Sequence, residues 1–200
     1  MIADFFIRTF TESDYFDIEQ LWIETNLTNT KRGDTLQTIQ NTLNCGGTFN
    51  KRYNPLNGEL EVPYDNYALD RILSNIDAKY DLAGLIYKDS LEMDINDRKM
   101  IASIIMESKD DTFIIIHGTD TMHITAEFLS EIFDDRQIIL TGAMKPFEID
   151  NIEASVNLGM AIGFSKSIQN YGVYICMNGF VEPCDSIIKN RALGKFELVK

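Results

Sequence analysis

The stretch that decides the fold is Phe113-Ile114-Ile115-Ile116-His117-Gly118-Thr119-Asp120-Thr121-Met122. Its first four residues are apolar and predict a short buried strand, and Gly118 follows as a turn residue. A hydroxyl, a carboxylate and a second hydroxyl then stand where a predicted helix over residues 121–133 begins. In parallel-sheet enzymes, the chemistry lies at such junctions of a strand end and a helix start. Taken singly, these residues also fit an ordinary capped turn, because Asp and Thr are common N-cap residues.

Two further segments repeat the order of strand, polar loop and helix. Strands are predicted over residues 82–87 and 137–140, and each ends in a polar loop that leads into a helix. A last strong strand is predicted over 171–177, and helices are predicted over 67–77, 95–106 and 151–165. The pattern predicts an α/β fold: a doubly wound parallel sheet with flanking helices and one ligand-binding edge.

Composition narrows the classes of function. The chain has 200 residues, a hydrophobic content of 44% and a formal net charge of -13. That length allows one α/β domain with a sizeable core, and the acidic balance argues against broad nucleic-acid binding. No apolar run approaches a membrane span, and the first residues lack the features of a secretory signal. Three cysteines form neither a metal-binding spacing nor an even disulfide set, so we expect a cytoplasmic protein.

The opening stretch resembles a known family signature. His117-Gly118-Thr119-Asp120-Thr121-Met122, after an aliphatic strand, resembles the second active-site motif of the bacterial-type asparaginase/glutaminase family. Cys45-Gly46-Gly47-Thr48 is similar to the family's first motif, Thr-Gly-Gly-Thr, with Cys45 in place of the first Thr. Gly142-Ala143-Met144-Lys145-Pro146 resembles a further family turn. The resemblance covers about residues 45–200 and only the first of the family's two domains.

The resemblance implies a set of catalytic residues. Thr48 matches the family's nucleophile, which attacks the side-chain amide of L-asparagine or glutamine to form an acyl-enzyme and release ammonia. A tyrosine on a mobile lid assists the nucleophile. Residues 50–66, rich in Asn, Pro and Gly, match that lid; Tyr53 is the first candidate and Tyr64 the second. Thr119 with Lys189 matches the pair that acts in the second step.

The resemblance also implies how the substrate is bound. Ser90 matches the serine that holds the α-carboxylate, and Asp120 matches the carboxylate that pairs with the α-ammonium. No metal or cofactor is implied, the partner is a small amino-acid amide, and a homo-oligomer is expected because family subunits complete each other's sites. His117 is expected to be structural and His123 to be a surface or packing residue, while the sequence leaves Lys88 undecided between a surface charge and a site charge.

The first 44 residues have a different character. Ile7 to Tyr15, Leu21-Trp22 and Arg32-Gly33-Asp34 resemble the opening of acyl-CoA-dependent N-acetyltransferases. The Gly-rich loop that holds the coenzyme in those enzymes does not follow, so no coenzyme A binding is expected. Residues 36–44 are predicted as a helix, with Ile39 and Leu43 at i, i+4, where the asparaginase family has a buried strand. We therefore expect an N-terminal fragment over 1–44 and an α/β domain over 45–200.

Three functions fit these observations. The first is an asparaginase-like amidohydrolase domain. The second is a non-catalytic amino-acid-binding or dimerisation module derived from one, since no region here resembles the family's second domain. The third, an acetyltransferase, rests on the first 44 residues alone.

Overall fold

The central sheet is formed by residues from across the described chain. The computed structural model describes residues 40–77, 79–167 and 170–199, and the acetyltransferase-like features before residue 40 lie outside them. The sheet has the strand order β4-β1-β5-β6-β7-β8. These strands are β1 (Gln40–Gly46), β4 (Tyr80–Lys88), β5 (Thr112–Ile116), β6 (Gln137–Thr141), β7 (Gly172–Met177) and β8 (Phe180–Pro183). The first five are parallel and β8 is antiparallel to β7, so the predicted fold class is confirmed.

Within the described ranges, four helices flank the sheet, as the sequence predicts. They are α1 (Tyr67–Leu73), α2 (Ile95–Glu107), α3 (Met122–Ser130) and α4 (Asn151–Ser167). Apolar residues of α1 and α4 pack with Ile114, Ile116 and Ile139 in one buried cluster. Neighbouring strand residues such as Ile115 and Leu140 are also fully buried, and they face the other side, where α2 and α3 contact each other. No helix in the described part of the chain is long and apolar enough to cross a membrane.

Strand β1 corrects one expectation. Residues 40–44 were predicted as the end of a helix, but they form a strand in the middle of the sheet, paired with β4 on one side and β5 on the other. The helix prediction is therefore wrong for these residues, and the family's first strand is present. The sheet consequently includes residues that precede position 45, where the α/β domain was expected to begin.

Polar side chains explain why the sequence pattern did not predict β1 as a strand. The strand has the sequence Gln-Asn-Thr-Leu-Asn-Cys-Gly and lacks the apolar run of a buried strand. Asn44 is fully buried, and its amide nitrogen donates to Asn66 Oδ1 at 2.8 Å. Its Oδ1 accepts from Gly46 N at 3.0 Å and from Asn50 Nδ2 at 2.8 Å. Because these bonds satisfy the buried amide, a polar residue is tolerated in the core.

Two hairpins complete the described fold. Strands β2 (Arg52–Asn54) and β3 (Glu59–Glu61) pair within the segment that composition assigned to a mobile loop. Strands β9 (Ile187–Asn190) and β10 (Lys195–Leu198) pair near the end of the chain, with Phe196 opposite Lys189.

Replacing Asn44 with Ala tests its role in β1. We expect the free energy of unfolding to fall by about 2–4 kcal/mol, because several buried groups lose their partners and a small cavity is left. Urea unfolding measures this, with the exposed Asn170→Ala as the control, which is expected to change stability by less than about 0.5 kcal/mol. Equal stability of the two variants would show that the Asn44 hydrogen bonds do not hold the strand.

Candidate active site

Three loops meet where β1, β4 and β5 end. A Cβ on Gly47 would lie 2.4 Å from Gly118 Cα, and a Cβ on Gly118 would lie 2.6 Å from Ser90 Oγ. Gly47 also has a φ of 82°, which disfavours any other residue. Because the two glycines carry no side chains, the first loop packs against the Gly118 backbone and the Ser90 side chain packs against Gly118, so the residues beside these glycines are brought to the same place. Those residues are Thr48, Ser90 and Thr119.

Hydrogen bonds hold the same three loops together. Gly47 N donates to Lys88 O at 2.9 Å, which ties the end of β1 to the end of β4. The Thr121 hydroxyl donates to Ser90 O at 2.7 Å, which ties the start of α3 to the β4 loop. The Thr121 side chain does not cap its own helix. It joins two loops instead.

Lys189 reaches this place from strand β9. Its Nζ donates to Thr119 Oγ1 at 2.7 Å and to Asp120 Oδ1 at 3.0 Å. The lysine side chain is only 11% exposed. An ammonium that is held this close to a hydroxyl oxygen stabilises negative charge on that oxygen. Sequence reasoning named all three residues, and the structure brings them together although Lys189 lies 70 positions from Thr119.

A network of asparagine side chains fixes the strand pair that carries Lys189. Asn178, after β7, accepts from Phe196 N at 2.9 Å, and Phe196 lies directly opposite Lys189 in the hairpin. Asn178 has a φ of 51°, a conformation that Asn tolerates better than most residues. Its own N–H donates to Asn157 Oδ1, and Asn157 Nδ2 donates to Gly142 O at 3.0 Å. The hairpin is thus tied to the ends of β6 and β7.

Ser90 and Thr48 present hydroxyl groups at the same edge. Ser90 is 1% exposed, and its Oγ has no hydrogen-bond partner among the described residues. A buried hydroxyl without a partner is costly, so a ligand atom that accepts or donates a hydrogen bond there is favoured. Thr48 is half-buried and begins a short 3-10 turn, Thr48–Asn50, directly after Gly47.

Comparison with known proteins agrees with this geometry. The family model "Asparaginase, N-terminal" matches residues 41–194. The chain belongs to the asparaginase N-terminal domain family. Its match begins in β1, the strand that sequence reasoning missed, and ends just after Lys189.

Individual relatives cover only parts of the chain. A glutaminase-asparaginase of Pseudomonas aeruginosa is 26% identical over 144 residues, which are 66% of this chain and 38% of that protein. The L-asparaginase 2 of Escherichia coli is 38% identical over 90 residues, 44% of this chain and 24% of the relative. The thermostable L-asparaginase of Thermococcus kodakarensis superposes with a TM-score of 0.70 at 22% identity, covering 80% of this chain and 51% of that one, so it shows the fold alone. The chain spans about half the length of these asparaginases or less.

The two tyrosine candidates lie outside the contacts that join Lys189 and the loops after β1, β4 and β5. Tyr53 is in β2, and its side chain is 58% exposed. Tyr64 is 87% exposed, and its ring lies 5.4 Å from that of Tyr87. Within the described residues, no hydrogen bond joins either phenol to the Thr48 hydroxyl. The structure therefore joins Thr119, Asp120 and Lys189 by hydrogen bonds and brings the loops that carry Thr48 and Ser90 against Gly118, and among the described residues no hydrogen bond from Tyr53 or Tyr64 reaches this group.

Three charged residues at the site were missed by sequence reasoning. Lys51 Nζ lies 2.5 Å from Asp89 Oδ2, and Arg191 Nη1 lies 3.3 Å from Asp120 Oδ1. Burial alone would raise the pKa of Asp89, but hydrogen bonds from Lys51 and from Leu91 N hold it below its ordinary value. Lys51 follows Thr48 by three positions, and side chains at that spacing are eclipsed in a 3-10 turn. For Lys51, that spacing is the one feature of the sequence that indicates a place beside Thr48.

Lys88 has a structural partner, whereas His123 Nδ1 is buried without a hydrogen-bond partner among the described residues. Lys88, left undecided by the sequence, donates to both carboxylate oxygens of Asp97 at 2.8 and 2.9 Å. This hydrogen bond raises the pKa of Lys88. Partial burial lowers the pKa of His123. Among the described residues, no group of three or more His, Cys, Asp or Glu side chains could hold a metal ion.

His117 belongs to a buried chain of hydrogen bonds behind the site. Its Nδ1 lies 2.8 Å from Gly118 O and its Nε2 lies 2.9 Å from Thr125 Oγ1. Arg98 Nε donates to the same Thr125 oxygen at 3.1 Å. The imidazole is fully buried, and burial lowers its pKa to about 4. His117 is therefore neutral at physiological pH and supports the Gly118 backbone from within the core.

Replacing Gly47 with Ala tests the backbone contact between the first and third loops. The added Cβ would meet the Gly118 backbone, and the φ of Gly47 is unfavourable for Ala, so we expect a loss of at least about 2 kcal/mol of stability. Gly159→Ala is the matched control, because nothing lies within 4 Å of its Cβ position and it is inside α4. There we expect a gain of about 0.5–1 kcal/mol. Unfolding midpoints in urea that shift equally in both variants would contradict the contact.

The pKa of His117 predicts a pH dependence of stability. Its pKa in the folded chain, about 4, lies below the ordinary value of 6.5, so between these values the unfolded state binds more protons. The free energy of unfolding should fall by about 3 kcal/mol as the pH is lowered from about 6.5 to 4. Urea unfolding across this range measures it. His117→Gln should flatten this dependence and His123→Gln should keep most of it; an unchanged slope in His117→Gln would refute the assignment.

Proposed function

We propose that this chain is an asparaginase-type amidohydrolase domain that hydrolyses the side-chain amide of L-asparagine or glutamine. The observation that carries the proposal is the contact of Lys189 Nζ with both Thr119 Oγ1 and Asp120 Oδ1. This arrangement places a cation, a hydroxyl and a carboxylate together at the edge where the parallel strands end. The unpartnered Ser90 hydroxyl and the nearby Thr48 supply the remaining groups that the reaction needs.

In the first step, Ser90 and Asp120 bind the substrate and Thr48 attacks it. Ser90 donates to the α-carboxylate of the substrate, and Asp120 accepts from its α-ammonium. Thr48 Oγ attacks the side-chain amide carbon, and the C–N bond breaks as ammonia leaves with the hydroxyl proton. Tyr53 assists the nucleophile if the β2–β3 hairpin closes over the bound substrate. Backbone N–H groups near Thr48 and Thr119 stabilise the oxyanion.

The second step uses the buried pair. A water molecule hydrogen-bonded to Thr119 attacks the acyl-enzyme ester, the ester bond breaks, and Thr48 regains its proton as aspartate leaves. Thr119 gives its hydroxyl proton to the leaving Thr48 oxygen and takes one from the attacking water, and Lys189 stabilises the negative charge on the Thr119 oxygen between these transfers. No metal is invoked in either step.

A cytoplasmic homo-oligomer is part of the same proposal. The three cysteines are unpaired, and Cys45 and Cys176 are buried, where burial raises the pKa of both thiols. Free cysteines suit a reducing compartment. The paired subunits of the family support the oligomer.

A second function, amino-acid binding without catalysis, is also compatible with the contacts around Thr48. No hydrogen bond joins a tyrosine to Thr48 among the described residues. A non-catalytic module that binds an amino acid through Ser90, Asp120 and Lys189 would not need that contact. A separate N-terminal fragment is likewise retained as a proposal, with the boundary moved from residue 45 to before β1, which begins at Gln40.

Replacing Thr48 with Ala separates the two functions. If the domain is an amidohydrolase, ammonia release from L-asparagine or L-glutamine by the full chain should fall at least about a thousandfold, because the nucleophile is gone. Ser155→Ala removes a hydroxyl from α4 and should keep full activity. Absence of ammonia release from the unmodified chain, together with calorimetric binding of L-aspartate, would instead support the binding module.

A further inference from the structure

Helix α4 is apolar on its outer face as well as on its inner one. Its inner face packs on the sheet in the buried cluster described above. The exposed residues from position 152 to position 163 are Ile152, Val156, Gly159 and Gly163, and none of them is charged. The side chain of Ile152 is 69% exposed and that of Val156 is 50% exposed. A helix that is apolar all round is typically covered on both sides, so the outer face lacks a partner in this chain.

The two glycines of this face are not required by the chain itself. Gly159 and Gly163 lie inside α4, and a Cβ added at either position would meet no atom of the described residues within 4 Å. A glycine inside a helix costs about 0.5–1 kcal/mol relative to Ala. A second helix packed on this face accounts for both glycines, because small residues let two helix backbones approach closely.

The face is complementary to itself when two copies pack antiparallel. Across a two-fold axis, each residue of one copy lies opposite a fixed residue of the other, and the pairing is reciprocal. An axis midway between positions 157 and 158 sets every large side chain of the face opposite a small one. The facing pairs are then Ile152 with Gly163, Val156 with Gly159, and Met160 with Ser155. Large side chains of each helix thus fit the grooves of the other.

Charges at the ends of the face are complementary in the same arrangement. Lys166 is exposed in the last turn of α4, and it comes opposite position 149 of the second copy, between Glu148 and Asp150. Its apolar stem can cover Ile149, which is 65% exposed. Glu153 is held at the side of the helix by Asn178 Nδ2. Because the chain has a net charge of -13, a second copy is best accepted where the centre of the contact carries no acid.

We propose that the outer face of α4 is an interface between two copies of this chain, whose α4 helices pack antiparallel about a two-fold axis between Asn157 and Leu158. The inference gives the oligomer of the proposed function a surface, and it does not depend on hydrolysis. A single helix pair falls short of the roughly 800 Å² per partner of a standard interface, so the dimer is expected to be reversible.

Sedimentation velocity of the full chain over a range of protein concentrations tests this interface. The unmodified chain should pass from monomer to dimer as the concentration rises. Gly159→Leu should weaken dimerisation at least about tenfold, because the new side chain takes the space of the facing Val156. Val156→Ala should also weaken it, because a facing side chain is lost. The double variant Val156→Ala/Gly159→Leu should regain most of the affinity, since the large and small side chains have only exchanged places.

Gly159→Ala should act in opposite directions on folding and on association. At low protein concentration, where the chain is monomeric, the added methyl group should stabilise the helix against urea. In sedimentation the same variant should dimerise more weakly, because its Cβ lies between the two helices. Met106→Gln is the control: Met106 is 50% exposed on α2, on the opposite side of the sheet, and the change should leave dimerisation as it is.

The outcomes separate the surface from the rest of the proposal. A dimer that persists unchanged in Gly159→Leu would overturn this surface and keep the proposed oligomer. Failure of the double variant to regain affinity would overturn the antiparallel pairing of Val156 with Gly159. A chain that stays monomeric at every concentration would overturn both the surface and the oligomer, whereas ammonia release decides the reaction by itself.

Discussion

The contact of Gly47 with Gly118 is the constraint on which the site depends. Two chain segments 71 positions apart approach so closely that a single methyl group would not fit between them. The Ser90 side chain packs against Gly118 just as closely. Three hydroxyl-bearing residues thus converge because neither glycine has a side chain. Protein interiors are close-packed and deform little, so this geometry is set by the sheet rather than by the ligand.

The fourth loop reaches the site by a different physical means. Lys189 belongs to a strand pair outside the central sheet. Its apolar residues Ile187 and Phe196 are buried, and the hydrogen bond from Phe196 N to Asn178 Oδ1 fixes the pair at the point opposite the lysine. Directional hydrogen bonds fix distance and orientation together, which an apolar contact does not. The cation is therefore placed to within hydrogen-bond distance of Thr119 and Asp120, although its strand is only four residues long.

The sequence predicted the elements that are marked by neighbouring residues. It did not predict those that depend on contacts between residues far apart in the chain. Apolar runs such as Ile114 to Ile116 predicted the buried strands, and the family motif placed Thr119, Asp120 and Lys189, which the structure brings into contact. β1 was missed because its buried positions are filled by asparagines whose partners lie in other loops. Arg191 and Lys51 carried no clear signal, since a surface cation and a site cation look alike until their partners are known.

The buried hydrogen bonds of His117 behind the site have one possible order of donors and acceptors. Gly118 O can only accept, so His117 must donate from Nδ1, and its neutral ring then accepts from the Thr125 hydroxyl at Nε2. Arg98 can only donate, so it closes the far end of the chain. No link can reverse without setting two acceptors or two donors against each other. The imidazole therefore holds the Gly118 carbonyl in a fixed position, and both of its nitrogens are occupied by hydrogen bonds that face away from proton transfer with a ligand.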